Sequence, residues 1–393
     1  MRTATLIATT LLVAQAVVSP PIHRFDGTPV SAGLIDTEAR RMMADARVQG
    51  LAMAAVDDGK VVFVRAWGHR NVEKKLPLEI DTIMYGASLT KFAFAYMVMQ
   101  LVDEGKIDLD RSIADYLPKP LPEYEFYAAL STDERWRKLT ARILLSHTSG
   151  LANFAFLEPD DEKMRLHFDP GSRYAYSGEG YILMQFVLET GLGLKLGDEM
   201  QRRVFDRFRM TRTAMMWRED FAGNLADGYG GDGSFEAHSR RSRPRAAGSM
   251  DTTIDDFAKF LAGFVRGEGL SARSRAEMVK PQIPIATPSQ FPTFLETSSP
   301  AMQAIKLSAG LGVITFEGPY GRAFFKGGHN DTTGNQAICV ETTRRCVLYL
   351  ANDVRAESLY QRLTEATLGD PGMPWSWEGY KPYEVRTGSN RFD

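Results

Sequence analysis

A serine and a lysine three residues apart form the pair in this chain best suited to covalent chemistry. Ser88 follows a short turn-like segment and opens an apolar run with helical spacing, and Lys91 comes one helical turn later. On a helix the two side chains share one face, so the lysine can contact the serine hydroxyl and activate it as a nucleophile. The free N–H groups at a helix start would stabilise a developing oxyanion. Taken alone, the pair also fits an exposed serine beside a solvated lysine.

Tyr176 and Lys326 are candidates for moving the serine's proton. Tyr176 stands just before a predicted helix at 182–190, and a tyrosine there can act as a base when nearby lysines stabilise its phenolate. Lys326 ends a strand-like run and precedes Gly327 and Gly328, which allow a substrate to approach the backbone closely. Taken alone, Tyr176 is better explained as an ordinary half-buried aromatic residue.

Histidines and a run of arginines offer further chemistry, but each has a simpler explanation. His147 could be a general base, yet its Ser-His-Thr-Ser-Gly surroundings favour a loop held by local hydrogen bonds. The arginine run at 240–245 could bind a substrate carboxylate, although a solvated surface loop is commoner. His147, His238 and His329 have no metal-ligand spacing, so we expect neither a metal nor a cofactor.

Composition places the chain among ordinary globular proteins. Its 393 residues, 44% of them apolar and 24% charged, can form one large domain or two moderate ones. The net charge of −2 gives no electrostatic basis for binding nucleic acid or an acidic membrane surface. After the first 19 residues, no stretch approaches the length of a transmembrane helix.

The first 19 residues are typical of a secretory signal peptide. Arg2 precedes an apolar run over 4–18, with small residues at 14–16 as a plausible cleavage site. The run is too short to span a membrane, and a buried N-terminal helix is the alternative. We therefore expect the mature protein to be soluble and exported. Cys339 and Cys346 flank a predicted hairpin turn and could form a disulfide or remain two buried thiols.

The elements around the candidate residues indicate a mixed α/β chain. An Asp-Asp-Gly-Lys turn at 57–60 predicts a hairpin, and the pattern is β again from residue 310. A connecting loop is expected at 281–300, and the Trp- and Pro-containing tail beyond 370 has no interpretable pattern. The predicted strands are 51–57, 61–67, 311–316, 323–326, 335–340 and 347–351, and the predicted helices are 35–48, 182–190, 253–265 and 357–368.

With these pieces in order, the chain resembles the serine β-lactamase-like superfamily. Within it, the resemblance is closest to the branch of class C β-lactamases, D-alanyl-D-alanine carboxypeptidases and family VIII esterases. The similarity covers nearly the whole mature chain. It is carried by the segments 87–91 (ASLTK), 100–106 (QLVDEGK), 144–151 (LLSHTSGL), 174–178 (YAYSG) and 326–328 (KGG).

The resemblance implies a β-lactamase/transpeptidase-like α/β fold. An antiparallel sheet flanked by helices would be built from both chain ends, with an all-helical domain inserted between them and the site in the cleft. The implied boundaries are a catalytic domain at 20–380, with its α/β part at 30–87 and 302–370 and its helical part at 88–301, and a tail at 381–393. It also implies export to a bacterial periplasm.

The resemblance assigns a role to each matching residue. Ser88 would be the acylated nucleophile, and Lys91 would help to remove and relay its proton. Tyr176 would be the general base that returns the proton to the leaving group. Lys326 would add positive charge near the phenolate and the substrate carboxylate. The oxyanion hole would consist of the backbone N–H groups of Ser88 and His329.

Two departures from the family's motifs bear on the substrate. Gly178 replaces an asparagine that contacts an amide, and Gly327 replaces a threonine or serine; with Gly328 they would be the substrate-binding positions. Both changes remove hydrogen bonds to a peptide-like or β-lactam substrate. We therefore expect a serine hydrolase that forms an acyl-enzyme on a small-molecule ester, amide or β-lactam. An esterase or general hydrolase ranks ahead of a class C-like β-lactamase, and a D-amino-acid peptidase comes third.

Two other kinds of protein remain as alternatives. One is a non-catalytic penicillin-binding protein that keeps the fold, although such a protein has no need of all four polar residues Ser88, Lys91, Tyr176 and Lys326. The other is a Ser-His-Asp hydrolase, which the absence of a Gly-x-Ser-x-Gly elbow disfavours. The sequence leaves the acyl donor and the oligomeric state open.

Overall fold

The computed structural model describes residues 21–157 and 163–383. The predicted signal peptide (1–19) and most of the predicted tail (381–393) lie outside the described residues. The helices are α1 (Ala32–Ala46), α2 (Leu89–Asp103), α3 (Ala141–Leu145), α4 (Gly178–Phe186), α5 (Leu196–Met200), α6 (Ile254–Val265), α7 (Ala272–Val279), α8 (Pro300–Ala304) and α9 (Glu357–Leu368). Within the described ranges, none of the helices is long and apolar enough to cross a membrane.

The strands come from both ends of the chain. They are β1 (Ile22–His23), β2 (Pro29–Val30), β3 (Gly50–Asp57), β4 (Lys60–Asn71), β5 (Leu76–Pro77), β6 (Met84–Tyr85), β7 (Gly228–Tyr229), β8 (Phe235–Glu236), β9 (Asp251–Thr252), β10 (Ile283–Pro284), β11 (Ser308–Ala309), β12 (Ile314–Gly318), β13 (Gly321–Asn330), β14 (Thr333–Val340) and β15 (Arg345–Ala351).

A nine-stranded antiparallel sheet organises the molecule. Its order is β10-β11-β12-β13-β14-β15-β3-β4-β5, so the N-terminal hairpin joins the C-terminal strands where β15 pairs with β3. The helices cover both faces of this sheet. The expected mixed α/β architecture, with strands from the two chain ends in one sheet, is confirmed.

Alternate residues of β3 point into two different cores. Ala52 and Ala54 belong to the core that α2 and α6 share, whereas Leu51 and Met53 belong to the core beneath α1 and α9. This period-two alternation is what a strand buried on both faces requires. The sheet is therefore a middle layer packed on both faces, which holds the residues at the ends of its strands in fixed positions.

Helix α2 lies inside the first core. Every residue from Leu89 to Leu101 is buried, and a helix that is apolar on all sides belongs in the interior. Its aromatic residues pack on neighbouring rings; Phe92, for example, contacts Phe260 and Phe264 edge-on at 5.1 and 4.7 Å between ring centroids. The start of α2, where Ser88 stands, is thus held by a large packed environment.

Most predicted elements are present, with shifted ends. Helix α9 has the predicted bounds, and α6 begins after Thr253, whose side chain accepts a hydrogen bond from Asp256 N as an N-cap. Helix α4 begins four residues before the prediction, because the Ser177 hydroxyl caps the N–H of Gly180 and outweighs the poor helix propensity of the glycines. The predicted loop 281–300 contains the short strand β10.

Cys339 and Cys346 are cross-strand partners in β14 and β15. Their Cα atoms are 4.1 Å apart, and the two residues form a disulfide. Of the two possibilities left open by the sequence, the structure therefore contains the disulfide.

The segment after α9 folds back onto the sheet. Trp375 and Trp377 are buried in the second core, where the Trp377 ring lies 6.0 Å from that of Phe325 on β13. Tyr380 is buried beside them. This segment, which had no interpretable pattern in the sequence, places Glu378 in the lining of the cleft.

Candidate active site

The turn before α2 presents Ser88 to the cleft. Strand β6 pairs with β9, and Gly86 N donates to Met250 O at 2.8 Å, which fixes the approach of the chain. Ala87 then adopts a left-handed conformation with φ 45°, a strained choice for a residue with a side chain. Ser88 follows as the half-buried first residue of the α2 turn, so its hydroxyl stays accessible.

Lys91 is buried directly beneath the serine. Its ammonium donates to Ser88 Oγ at 3.0 Å and to the carbonyl of Ala247 at 2.5 Å. Only 1% of the residue is exposed. Burial lowers the pKa of Lys91, and Tyr176 opposes that effect while Lys326 adds to it. The neutral amine, which can accept a proton, is therefore more accessible here than in water.

Tyr176 lies between the two lysines. The ammonium nitrogens of Lys91 and Lys326 are 5.0 and 5.1 Å from its ring centroid, and Lys326 also donates to the phenol oxygen at 3.4 Å. The ring stacks on His147 at 4.3 Å and meets Phe291 edge-on at 5.5 Å. The phenol of Tyr176 therefore has a lysine on each side with which it can exchange a proton.

Lys326 brings the second cation from strand β13. It is 5% exposed and donates a further hydrogen bond to Gly327 O at 2.7 Å. Burial lowers the pKa of Lys326, and the negative charge of Glu378 opposes that shift. The structure thus brings Ser88, Lys91, Tyr176 and Lys326 together, from four separate places in the sequence.

The backbone of β13 runs next to the serine turn. Strand β12 pairs with β13 only as far as Phe325, which leaves the following residues with a free edge on that side. A Cβ atom at Gly328 would lie 2.7 Å from Gly86 O and 3.2 Å from Ser88 N, so only glycine allows this approach. His329, the predicted second oxyanion donor, lines the cleft with Ser88.

The side chain of His329 is engaged elsewhere. Its Nδ1 lies 2.8 Å from Glu357 Oε1, and this hydrogen bond raises the pKa of the imidazole. Only its backbone N–H is therefore a candidate for the predicted oxyanion hole.

His147 has a structural position rather than that of a base. Ser177 N donates to its Nδ1 at 3.0 Å, and the ring is buried against Tyr176. Burial, with added repulsion from Lys91 and Lys326, lowers the pKa of His147 well below its usual value. The neutral imidazole orients Tyr176, in line with the preferred prediction for its loop.

Gly178, a predicted substrate-binding position, lies against Asn153 and Phe154. Its N–H donates to Asn153 Oδ1 at 3.1 Å, and an added Cβ would lie 2.6 Å from Asn153 O and 2.7 Å from the Phe154 ring. The ring of Phe154 therefore occupies the space that a side chain at position 178 would fill, and Phe154 lines the cleft instead.

The space beside Gly327 is filled in the same way. A Cβ atom there would overlap Glu378 Oε2 and lie 2.9 Å from Gln336 Oε1. The carboxylate of Glu378, carried by the segment after α9, thus stands where the family has a hydroxyl side chain. Beside the two glycines that replace polar residues of the motifs, the cleft therefore has an aromatic ring and an anion.

The cleft extends on both sides of Ser88. On the side of β13, a cavity of about 350 Å³ is lined by Tyr176, Lys326, Glu357 and Glu378. On the other side, about 440 Å³ is lined by the arginine run. In that run Arg241 is tied to Asp251 at 2.9 Å, whereas the side chains at 243 and 245 are exposed.

An aromatic cavity adjoins the cleft behind Phe154. It has a volume of about 530 Å³, and Phe154 is a wall of both spaces. One carboxyl oxygen of Glu179 lines it without a hydrogen-bond partner, and burial raises the pKa of this carboxyl. The ring walls are Tyr124, Phe126, Tyr127, Phe154, Phe156 and Phe186.

The three histidines considered as metal ligands lie in different surroundings. His147 is beneath Tyr176, His329 is bound to Glu357, and His238 Nε2 is 3.3 Å from Asp251 Oδ2. In the part of the chain that the structure describes, no three His, Cys, Asp or Glu residues are grouped as metal ligands.

Sequence reasoning missed Phe154 and Glu378. Neither belongs to a motif, and Glu378 lies 51 residues from the glycine it faces. The available signal was indirect: two motif positions had lost their side chains, and a packed protein fills such space from elsewhere.

The comparisons with known proteins agree with this geometry. The family model described as Beta-lactamase matches residues 35–368. A lovastatin esterase of Penicillium rubens is 26% identical over 284 residues, which cover 62% of this chain and 70% of the esterase. A D-aminopeptidase of Brucella anthropi is 28% identical over 185 residues, covering 42% of this chain and 33% of the aminopeptidase.

A solved structure shows the same fold at low identity. The D-alanine carboxypeptidase AmpC from Burkholderia cenocepacia superposes with a TM-score of 0.65 at 17% identity, covering 82% of this chain and 93% of that one. Together with the family model, which matches most of the chain, this places the four clustered polar residues on a known scaffold. The protein belongs to the beta-lactamase family of serine hydrolases.

Proposed function

We propose that the protein is an exported serine esterase that forms an acyl-enzyme on Ser88. One observation carries the proposal. The group of Ser88, Lys91, Tyr176 and Lys326 is complete, while the two positions suited to hydrogen-bonding an amide are filled by Phe154 and Glu378. An ester needs the nucleophile and its bases but fewer hydrogen bonds to its flanks than a peptide or a β-lactam.

In the acylation step, Ser88 Oγ attacks the ester carbonyl carbon. Its proton leaves through Lys91 to the oxygen of Tyr176, which acts as the base beside both lysine nitrogens. The backbone N–H groups of Ser88 and His329 hold the oxyanion. When the intermediate collapses, the bond from carbonyl carbon to alkoxy oxygen breaks, and Tyr176 gives the proton to the leaving oxygen.

In the deacylation step, water replaces the alcohol. Tyr176 takes a proton from the water as its oxygen adds to the acyl carbon. The bond to Ser88 Oγ then breaks, and the proton returns to Oγ through Lys91. One carboxylic acid and one alcohol leave, and the enzyme is restored.

Several features support an apolar acyl group and export. The aromatic cavity behind Phe154 has room for such a group, and exposed Phe126 and Phe156 stand at its wall. One relative is an esterase by name. The apolar segment at 4–18 and the disulfide support an exported protein in an oxidising compartment such as a periplasm.

Intact-protein mass spectrometry over time, combined with ester turnover, tests the proposal. The mature protein and Ser88→Ala are each incubated with p-nitrophenyl butyrate and, separately, with a penicillin. We expect butyrate release and a transient adduct of butyryl mass on wild type only, with no lasting penicilloyl adduct. The Ser271→Ala variant, which changes a serine at the start of α7, is the matched control and should behave as wild type.

The other outcomes overturn the proposal in distinct ways. Ester turnover that survives Ser88→Ala excludes Ser88 as the nucleophile. A penicilloyl adduct that clears with ring-opened product indicates a β-lactamase, and one that persists without ester turnover indicates a penicillin-binding peptidase.

A further inference from the structure

Glu378 is a charged residue in the cleft that the reaction described above does not use. The segment that carries it is anchored on both sides, by Trp377 in the second core and by buried Tyr380. Gln290 N also donates to Trp377 O at 2.8 Å. The carboxylate is therefore held in place by packing and is not a mobile surface group.

The carboxylate faces Gly327 and acts on Lys326. A Cβ atom added at position 327 would overlap Glu378 Oε2, so the carboxylate lies directly beside this glycine. Burial lowers the pKa of Lys326 and the charge of Glu378 opposes that shift, and the two residues line the same cavity. A substrate carboxylate that approached Lys326 would enter that space and meet Glu378.

A second carboxylate makes the same side of the cleft more acidic. Glu357 lines the cavity next to Glu378, and its charge adds to the burial that raises the pKa of the Glu378 carboxyl. His329, which is bound to Glu357, offsets part of that charge. The carboxylates of Glu357 and Glu378 balance the cationic groups of Lys326 and His329 in this cavity. This side of the cleft therefore has no net positive charge that would attract an anionic substrate.

The leaving group must lie on this side. Tyr176 gives its proton to the leaving oxygen in the proposed reaction, and Lys326 contacts the hydroxyl of Tyr176 at 3.4 Å. The alcohol part of the ester therefore departs past Lys326 and Glu378.

We infer that Glu378 is a specificity-determining residue that excludes esters whose leaving group carries a carboxylate, so that the enzyme takes esters of neutral or cationic alcohols. The inference rests on the proposed esterase function. Its physical basis is like-charge repulsion in a partly buried site, which weakens the binding of anionic substrates and leaves the reaction rate of neutral substrates unchanged.

Two esters that differ only in charge provide the test. They are 3-carboxyphenyl phenylacetate and its neutral isostere 3-carbamoylphenyl phenylacetate, assayed at pH 7.5. Burial raises the pKa of Glu378 to about 7 and lowers that of Lys326 to about 8, so at this pH both groups are mainly charged. Wild type should favour the neutral ester in kcat/KM by about tenfold or more.

Charge removal at position 378 should abolish most of this preference. In Glu378→Gln the ratio of the two kcat/KM values should fall about tenfold, mainly through a gain on the anionic ester. Glu317→Gln, which removes the same charge from β12 outside the cleft lining, should leave the ratio unchanged. A wild-type ratio near one, an unchanged ratio in Glu378→Gln, or an equal loss on both esters would contradict the inference.

A measurement on the wild type alone keeps the inference testable if Glu378→Gln does not fold. The released phenols rebind on the leaving-group side, and 3-hydroxybenzoate should inhibit the turnover of p-nitrophenyl butyrate about tenfold or more weakly than 3-hydroxybenzamide. The two proposals fail separately. Absence of Ser88-dependent turnover of the neutral ester contradicts the esterase function, whereas turnover without charge preference contradicts only the role of Glu378.

Discussion

The ammonium nitrogen of Lys91 lies 3.0 Å from the hydroxyl oxygen of Ser88, on the same face of α2. A second hydrogen bond, to the carbonyl of Ala247 at 2.5 Å, fixes the ammonium from the other side. Because the lysine is buried, its pKa is lowered, and loss of a proton is easier than in water. The contact therefore provides a route for the serine's proton as well as a charge beside it.

We expect Lys91→Met to abolish most of the acylation. Removal of the relay should lower kcat/KM on p-nitrophenyl butyrate by about 10²–10⁴, the usual range for a lost acid–base group. Stopped-flow measurement of the acylation burst would follow the step directly. Lys106→Met, an exposed lysine beyond the other end of α2, is the control and should retain full activity. A Lys91→Met burst as fast as that of wild type would exclude the relay.

Tyr176→Phe should reduce turnover and keep the fold. The phenyl ring preserves the stacking on His147 and the contact with Phe291, so only the hydroxyl is lost. We expect kcat/KM to fall by about 10²–10⁴, with an unfolding midpoint close to that of wild type. Parallel kinetics and urea denaturation separate the two effects. Activity within threefold of wild type would show that another group carries the proton.

The elements around the site could be predicted because each has a local pattern. The hairpin of β3 and β4 follows from the Asp-Asp-Gly-Lys turn at 57–60 between two strand-like runs, and α9 has the predicted bounds. The start of α2 was evident from the spacing of Ser88 and Lys91. Each of these signals lies within a few residues, so the sequence alone reveals it.

The filling of the cleft could not be predicted in the same way. Phe154 and Glu378 meet Gly178 and Gly327 only after the sheet and the terminal segment have assembled. A glycine at position 178 or 327 indicates that room is left, but not which side chain enters. Contacts between segments far apart in the chain have no periodicity, which is why the charge and apolar character of the cleft depended on the structure.

His147 should make the protein less stable in acid. Because burial lowers its pKa in the folded state, the unfolded chain binds the proton more readily below the ordinary histidine pKa of about 6.5. The stability contribution is full above about pH 6.5 and is lost as the pH falls below it, by up to about 1.4 kcal/mol per pH unit. Urea unfolding of wild type and His147→Gln at pH 7.5 and 5.5 measures the difference.

Comparing the free energy of unfolding at the two pH values, in wild type and in His147→Gln, isolates the titration of His147. The free energy of unfolding should fall less between pH 7.5 and 5.5 in His147→Gln than in wild type, whatever constant offset the lost ring contacts cause. His69→Gln, which changes an exposed histidine, should show the wild-type dependence. An identical pH dependence in His147→Gln would show that folding leaves the pKa of this imidazole unshifted, which contradicts the prediction.

The contact between Gly327 and Glu378 predicts a coupling in stability. A Cβ added by Gly327→Ala would overlap Glu378 Oε2, the end of a side chain that must then move aside, so we expect about 1 kcal/mol of destabilisation in urea. In a Glu378→Ala background only Gln336 Oε1, at 2.9 Å, remains close, and the cost should shrink by about 0.5 kcal/mol or more. Gly223→Ala, whose Cβ would meet no atom within 4 Å, is the control and should be nearly neutral. If the effects of Gly327→Ala and Glu378→Ala simply add, the carboxylate does not occupy the space beside Gly327, and the exclusion of anionic leaving groups loses its structural basis.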